Sequence, residues 1–186
     1  MNTMNELTFP IAPLGVRLGT RLEGKSARKE LLATLASIPE PGRLIVSLDG
    51  VEVLSGSFAD ETIALSCARL ATGEYGDRYL IVRSPSMEIA EDLSHKLERR
   101  HLAMLCLLDD RWDMLGQLAA PMLETLALVI KHKETTAKEL AGILGIRHNA
   151  CLHRVGRLAD LRLIRREEIG LTGPYPTYRL SSIINS

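Results

Sequence analysis

Apolar positions along the chain change their spacing several times, and each spacing predicts a different element. Between Lys25 and Ile38, the residues Ala27, Leu31, Leu32, Leu35 and Ile38 recur at helical intervals, and PEPG (39–42) ends that run. RLIVSLDGV (43–51) is almost continuously apolar, the pattern of a strand covered on both faces. RYLIVRS (78–84) and HLAMLCLLD (101–109) repeat that character. Between these runs, residues 57–71 and 86–100 read as helices, with TGEYGD (72–77) as punctuation. ELTFPIAPL (6–14) predicts an edge strand, because Pro10 and Pro13 are tolerated only where an N–H needs no partner. WDMLGQL (112–118) adds one more short piece. Strands alternating with helices predict an α/β domain over residues 1–118, a mixed sheet carrying helices.

After residue 118 the spacing becomes that of closely packed helices: residues 120–134, 135–145 and 146–163, followed by two short strand-like runs around Gly173-Pro174. Thr135 or Thr136 is placed to cap the second helix, with Glu139 completing a capping box. Leu140, Ala141 and Leu144 are expected to face inward, and Gly145 supplies a left-handed residue that closes the helix and turns Ile146 toward the core. In the third helix Cys151, Val155 and Leu158 form the buried stripe. That leaves Asn149, His153 and Arg157 outward, with Arg154 beside them and Arg147 and His148 at the helix start. The order predicts an α+β module over residues 119–186.

TTAKELAGILGIRHNACLHRVGRLADLRLIRRE, closed by the Gly-Pro hairpin and TYRL, resembles the winged helix-turn-helix domains of bacterial transcription regulators over about 65 residues. The resemblance implies that the third helix enters the major groove of double-stranded DNA, where Arg reads guanine and Asn reads adenine. Arg147, His148, Asn149, His153, Arg154 and Arg157 are then the reading residues. Arg165 and Arg166 open the wing, and Tyr175, Thr177 and Arg179 contact backbone from its returning strand. Two positions depart from the pattern: Arg147 stands where a Ser or Thr cap is common, and Glu167-Glu168 places acid in the wing.

Further back, VSLDGV followed by Ser55-Gly56-Ser57-Phe58-Ala59-Asp60-Glu61 resembles the STAS-like family, small α/β domains related to anti-sigma-factor antagonists. In those relatives this strand-to-helix junction carries a serine phosphorylated by a partner kinase, written D-S-S-G. Ser55 stands at the Asp, Gly56 at the first Ser, Ser57 at the acceptor and Phe58 at the Gly. A simpler reading makes Ser57 the helix cap, with Asp60 and Glu61 at the positive end of the helix dipole.

Gly19 to Ser26 also matches the phosphate-loop spelling G-x-x-x-x-G-K-[ST]. Arg21, Leu22 and Glu23 are too bulky, and one of them too acidic, for a compact cradle of N–H groups, so an ordinary turn with a helix beginning near Ser26 is expected.

Charge sharpens the division. The formal net charge is zero, but residues 1–118 hold 13 Lys/Arg against 17 Asp/Glu, and residues 119–186 hold 10 against 6. A basic C-terminal part is what nucleic-acid binding requires. Apolar residues make up 46% of the chain and charged residues 25%, an ordinary globular balance. Three scattered cysteines, and histidines at no metal-ligand spacing, predict neither disulfides nor a metal site, and the chain suggests no cofactor. No apolar run reaches the ~18 residues a membrane span needs, and the N-terminus lacks signal-peptide order, so a cytoplasmic setting is expected.

The combined expectation is a non-enzymatic, DNA-binding transcriptional regulator acting as a homodimer, with the STAS-like part sensing, dimerising or docking a partner. The alternative is a partner-switching regulator, bound by a regulatory kinase or ATPase-like protein, whose winged helix docks protein. A P-loop NTPase built on Gly19 to Ser26 is the distant third.

Overall fold

The computed structural model describes residues 4–172 and 175–184. The chain is an α/β protein with a mixed sheet, and it divides into two compact units, Met1–Gln117 and Leu118–Ser186.

The first unit runs β1 (Asn5–Pro10), β2 (Arg17–Leu18), α1 (Arg21–Ser37), β3 (Gly42–Ser47), β4 (Val53–Leu54), α2 (Gly56–Ala59), a π-helical turn (Asp60–Ala64), α3 (Leu65–Ala71), β5 (Arg78–Arg83), α4 (Glu91–Arg99), β6 (Ala103–Leu107) and β7 (Trp112–Gly116). Five strands form one sheet in the order β1-β3-β5-β6-β7. The first four are parallel and β7 is antiparallel. All six residues of β3 are buried, which explains the unbroken apolar spelling there. β1 is an edge strand exposed at every position except Phe9, so its terminal Pro10 costs the sheet no hydrogen bond.

The parallel strands are added in chain order, each crossover stepping the same way. Among the described residues the strand order β1-β3-β5-β6 shows no reversal of the kind that makes a switch-point crevice in open α/β sheets.

α1 begins four to five residues earlier than its apolar spacing suggests. Thr20 Oγ1 accepts from the Glu23 N–H at 3.2 Å, and the Glu23 carboxylate accepts from the Thr20 N–H at 2.9 Å, a complete capping box. The phosphate-loop letters therefore spell a cap and the first turns of a helix. Gly24 is needed for packing: a Cβ there would lie 2.8 Å from Glu61 Cβ and 3.0 Å from the Phe58 carbonyl oxygen.

The next helix starts at Gly56, and the cap is Ser55, which accepts from the Phe58 N–H at 3.3 Å. The expected cap, Ser57, lies inside the first turn. Its place is taken because Ser55 has extended backbone, while Asp92 Oδ2 accepts from the Gly56 N–H at 3.0 Å. Asp60 does not serve the helix end either. It sits in the π-helical turn, where its carboxylate accepts two bonds from Arg100, at 2.8 and 3.0 Å. α4 starts at Glu91 and not at residue 86, because the preceding residues form successive turns.

The second unit runs α5 (Ala120–His132), β8 (Glu134–Thr136), α6 (Ala137–Leu144), α7 (His148–Asp160), β9 (Ile164–Thr172) and β10 (Tyr175–Ser182), with the sheet order β8-β10-β9, all antiparallel. Its core joins Leu126 and Val129 of α5, Leu140 of α6, Val155 and Leu158 of α7 and Leu180 of β10. β8, at three residues, is too short to show the period-two alternation of a strand in the sequence. No helix among the described residues is long and apolar enough to cross a membrane.

Candidate nucleic-acid interface

The site is built from the turn that joins α6 to α7. Thr136 caps α6 by accepting from the Glu139 N–H at 3.3 Å, and the Glu139 carboxylate in turn accepts from the Thr136 N–H at 2.8 Å. Hydrogen bonds from the Thr135 hydroxyl, then from Thr136, hold the Glu139 carboxyl below its ordinary range. At the other end Gly145 adopts φ 64° and ψ 31°, a left-handed conformation that a side chain would strain. The Ile146 N–H reaches back to the Ala141 carbonyl at 3.1 Å, and the chain then enters α7.

Cys151, Val155 and Leu158 point into the core, and burial pushes the Cys151 thiol up from its ordinary value. Arg147, His148, Asn149, His153 and Arg157 are all exposed. Asn149, His153 and Arg157 follow one another at intervals of four, so they make a single stripe opposite the buried one.

Two of the expected contact residues are turned away from solvent. Arg154 is half-buried against α5, where its guanidinium donates to the Pro121 carbonyl at 3.2 Å and Thr125 Oγ1 at 3.4 Å and lies 3.6 Å from the Glu124 carboxylate. Arg165 is 8% exposed and donates to the Glu167 carboxylate at 3.3 Å, across from Ser181 in the sheet. Both serve packing within the unit, because strand and helix phase direct them inward. Arg179, also expected at the backbone, lies 3.8 Å from the same Glu167 carboxylate. Arg166 is exposed, with its guanidinium 4.7 Å from the Tyr178 ring centroid, and Thr177 is half-buried. The side chain of Tyr175 and the Gly173-Pro174 tip lie outside the described residues.

Sequence reasoning missed a neighbouring feature. Lys138, Ala141, Gly142, Gly145, Ile146 and His148 line an open groove of about 560 Å³ where α6 meets α7. Its signal was the pair Gly142 and Gly145, whose missing side chains create the depression, with Ile143 left 54% exposed nearby.

In the first unit, Ser57 is half-buried beside the Gly56–Asp92 contact and near Asp60 and Glu61. Cys67 and Cys106 are buried, and burial pushes both thiols up to about 12, out of the reactive range. Among the described residues no group of three or more His, Cys, Asp or Glu is placed to hold a metal.

No protein-family model and no curated protein matches the sequence. Among solved structures, the chain is similar to a crystal structure of ScpB from Mycobacterium tuberculosis, at 15% identity over 87% of this chain and 91% of that one, with a TM-score of 0.27. A superposition of that quality does not establish a shared fold.

Proposed function

We propose that Leu118–Ser186 is a winged helix that reads duplex DNA with α7, and that the chain is a DNA-binding transcriptional regulator working as a homodimer. The unit Met1–Gln117 is then the STAS-like part, used for sensing, dimerisation or partner docking. One observation carries the reading: Asn149, His153 and Arg157 form one exposed stripe on a helix whose other face is anchored in the core, with Arg147 and His148 exposed at its start. The order helix, strand, helix, helix and two-stranded ribbon supports it, since that frame presents its last helix to the major groove.

Arg147, Arg157, Arg166 and Lys138 are exposed cations open to phosphate. Four phosphate contacts give a log–log salt slope of about −3 to −4. Titration against random duplex between about 50 and 200 mM salt reads that slope. A flat line, or no binding at the lower salt, overturns the proposal.

An exposed glutamate and two exposed apolar residues on the ribbon favour a second reading. Glu168, Ile169 and Leu171 are all exposed on β9, where a DNA-contacting wing is ordinarily basic. In this reading the protein is a partner-switching regulator whose winged helix docks protein. Pull-down of a specific partner by the second unit's ribbon, lost on Leu171→Asp, distinguishes it from the first.

A further inference from the structure

We propose that Leu152 of α7 is a base-reading residue, an apolar contact for the methyl group of thymine in the major groove. This role presupposes that α7 reads duplex DNA, and adds which base it selects there.

α7 turns two rows of residues away from the core. Asn149, His153 and Arg157 form the polar one. His148, Leu152 and Gly156 follow one another at the same interval of four, so they make a second row beside it. His148 and Leu152 are exposed, Leu152 at 40%, and Gly156 is half-buried. The core contact of α7 is made by Cys151, Val155 and Leu158, which leaves the Leu152 side chain free of packing duty. Leu152 also sits in the N-terminal half of the helix, the part that approaches base edges when such a helix lies in the groove. One turn further along the row, a Cβ at Gly156 would stand 3.9 Å from Arg166 Nη1, so an exposed guanidinium borders the row on the ribbon side.

An exposed leucine in a protein-docking face belongs to a wider apolar patch. Here the exposed residues at positions 148, 149 and 153, around Leu152, all carry hydrogen-bonding side chains. A single apolar group among donors and acceptors is the complement of a base edge. Every base offers hydrogen-bonding atoms in the major groove, and the apolar group displayed there is the thymine methyl. Asn149 precedes Leu152 by three residues, a rise of about 4.5 Å along the helix, close to the ~3.4 Å step between base pairs. With Asn149 on adenine, Leu152 falls on the same base pair or the next, so each half-site carries a thymine there.

The test uses the full-length chain and a duplex selected by that chain from a random pool. Each thymine is replaced in turn by uracil, which keeps every hydrogen-bonding atom and lacks only the methyl. At one thymine in each half-site, affinity is expected to fall about fourfold, the worth of one buried methyl group. Leu152→Ala and Leu152→Gln, both good helix formers, should bind the thymine and uracil duplexes alike at that position. Their salt slope and circular dichroism should match the wild type, because other residues contact phosphate. Duplex binding with a steep salt slope but no cost of uracil at any position overturns the role of Leu152 and leaves the DNA reading of α7 standing. So does an undiminished preference for thymine in either variant, or loss of all duplex binding in both variants while they remain folded. A wild type that binds no duplex overturns both.

Discussion

Gly24 and Gly142 both sit inside helices, yet the same substitution at each is expected to act in opposite directions. In an open helix position, Gly→Ala stabilises by about 1 kcal/mol, because alanine gives up less backbone freedom on folding. Gly142 is such a position, with nothing within 4 Å of where a methyl group would stand. Gly24 is not. Its Cβ would stand 2.8 Å from Glu61 Cβ, 3.0 Å from the Phe58 carbonyl oxygen and 3.1 Å from Thr62 Oγ1. Two of those neighbours belong to or adjoin backbone, and the third donates to the Gly24 carbonyl at 3.0 Å, so none swings aside freely. Overpacking of this kind costs about 1–3 kcal/mol. Set against the helix gain of about 1 kcal/mol, Gly24→Ala is expected to be neutral to about 2 kcal/mol destabilised. Urea unfolding of the full chain, with hydrogen exchange followed at α1 and α6, reads the two effects separately. A Gly24→Ala protein stabilised as much as Gly142→Ala would refute the close approach of α1 to the π-helical turn.

The remaining expectations are more local. The Arg100 guanidinium holds the Asp60 carboxyl below its ordinary range, so the stability it contributes is complete above the unfolded value of ~4 and is lost as pH falls through the folded value. Arg100→Met should remove about 1–2 kcal/mol after allowance for the partial exposure of Arg100, and should move acid unfolding to higher pH; an unchanged acid transition contradicts the pairing. Thr136→Ala should cost the second unit about 1 kcal/mol in thermal or urea melts, and no loss would mean that the capping box is idle. Replacing His153 and Arg157 with Ala should abolish sequence preference in a selected duplex pool, whereas Arg165→Ala should lower stability and leave duplex preference intact. Mass spectrometry of protein from its native host decides whether Ser57 is modified; a peptide that stays unmodified under varied conditions ends the phosphoacceptor reading.

Much of the architecture was legible because it depends on local patterns. The continuous apolar runs of β3, β5 and β6 announce strands buried on both faces, and the spacing of Cys151, Val155 and Leu158 sets the phase of α7. Thr136, Glu139 and Gly145 mark both ends of α6 through chemistry acting within a few residues. The outward stripe of Asn149, His153 and Arg157 follows from that phase alone.

What only the tertiary structure decided involves geometry that spelling does not carry, most of it between partners far apart in sequence. Glu23 folding back on Thr20 turned a phosphate-loop spelling into a helix cap, and Gly24 owes its identity to Glu61 and Phe58, which lie beyond α1. Asp92, 36 residues away, bonds the Gly56 N–H, while Ser55 takes the capping role that spacing assigns to Ser57. Arg154 and Arg165 carry the same charge in sequence as Arg157, but Thr125 and Glu167 claim them. The charges of the C-terminal part were countable from the sequence. Which of them face solvent was a matter of packing, because an arginine's availability depends on which carboxylate or carbonyl the fold brings within reach.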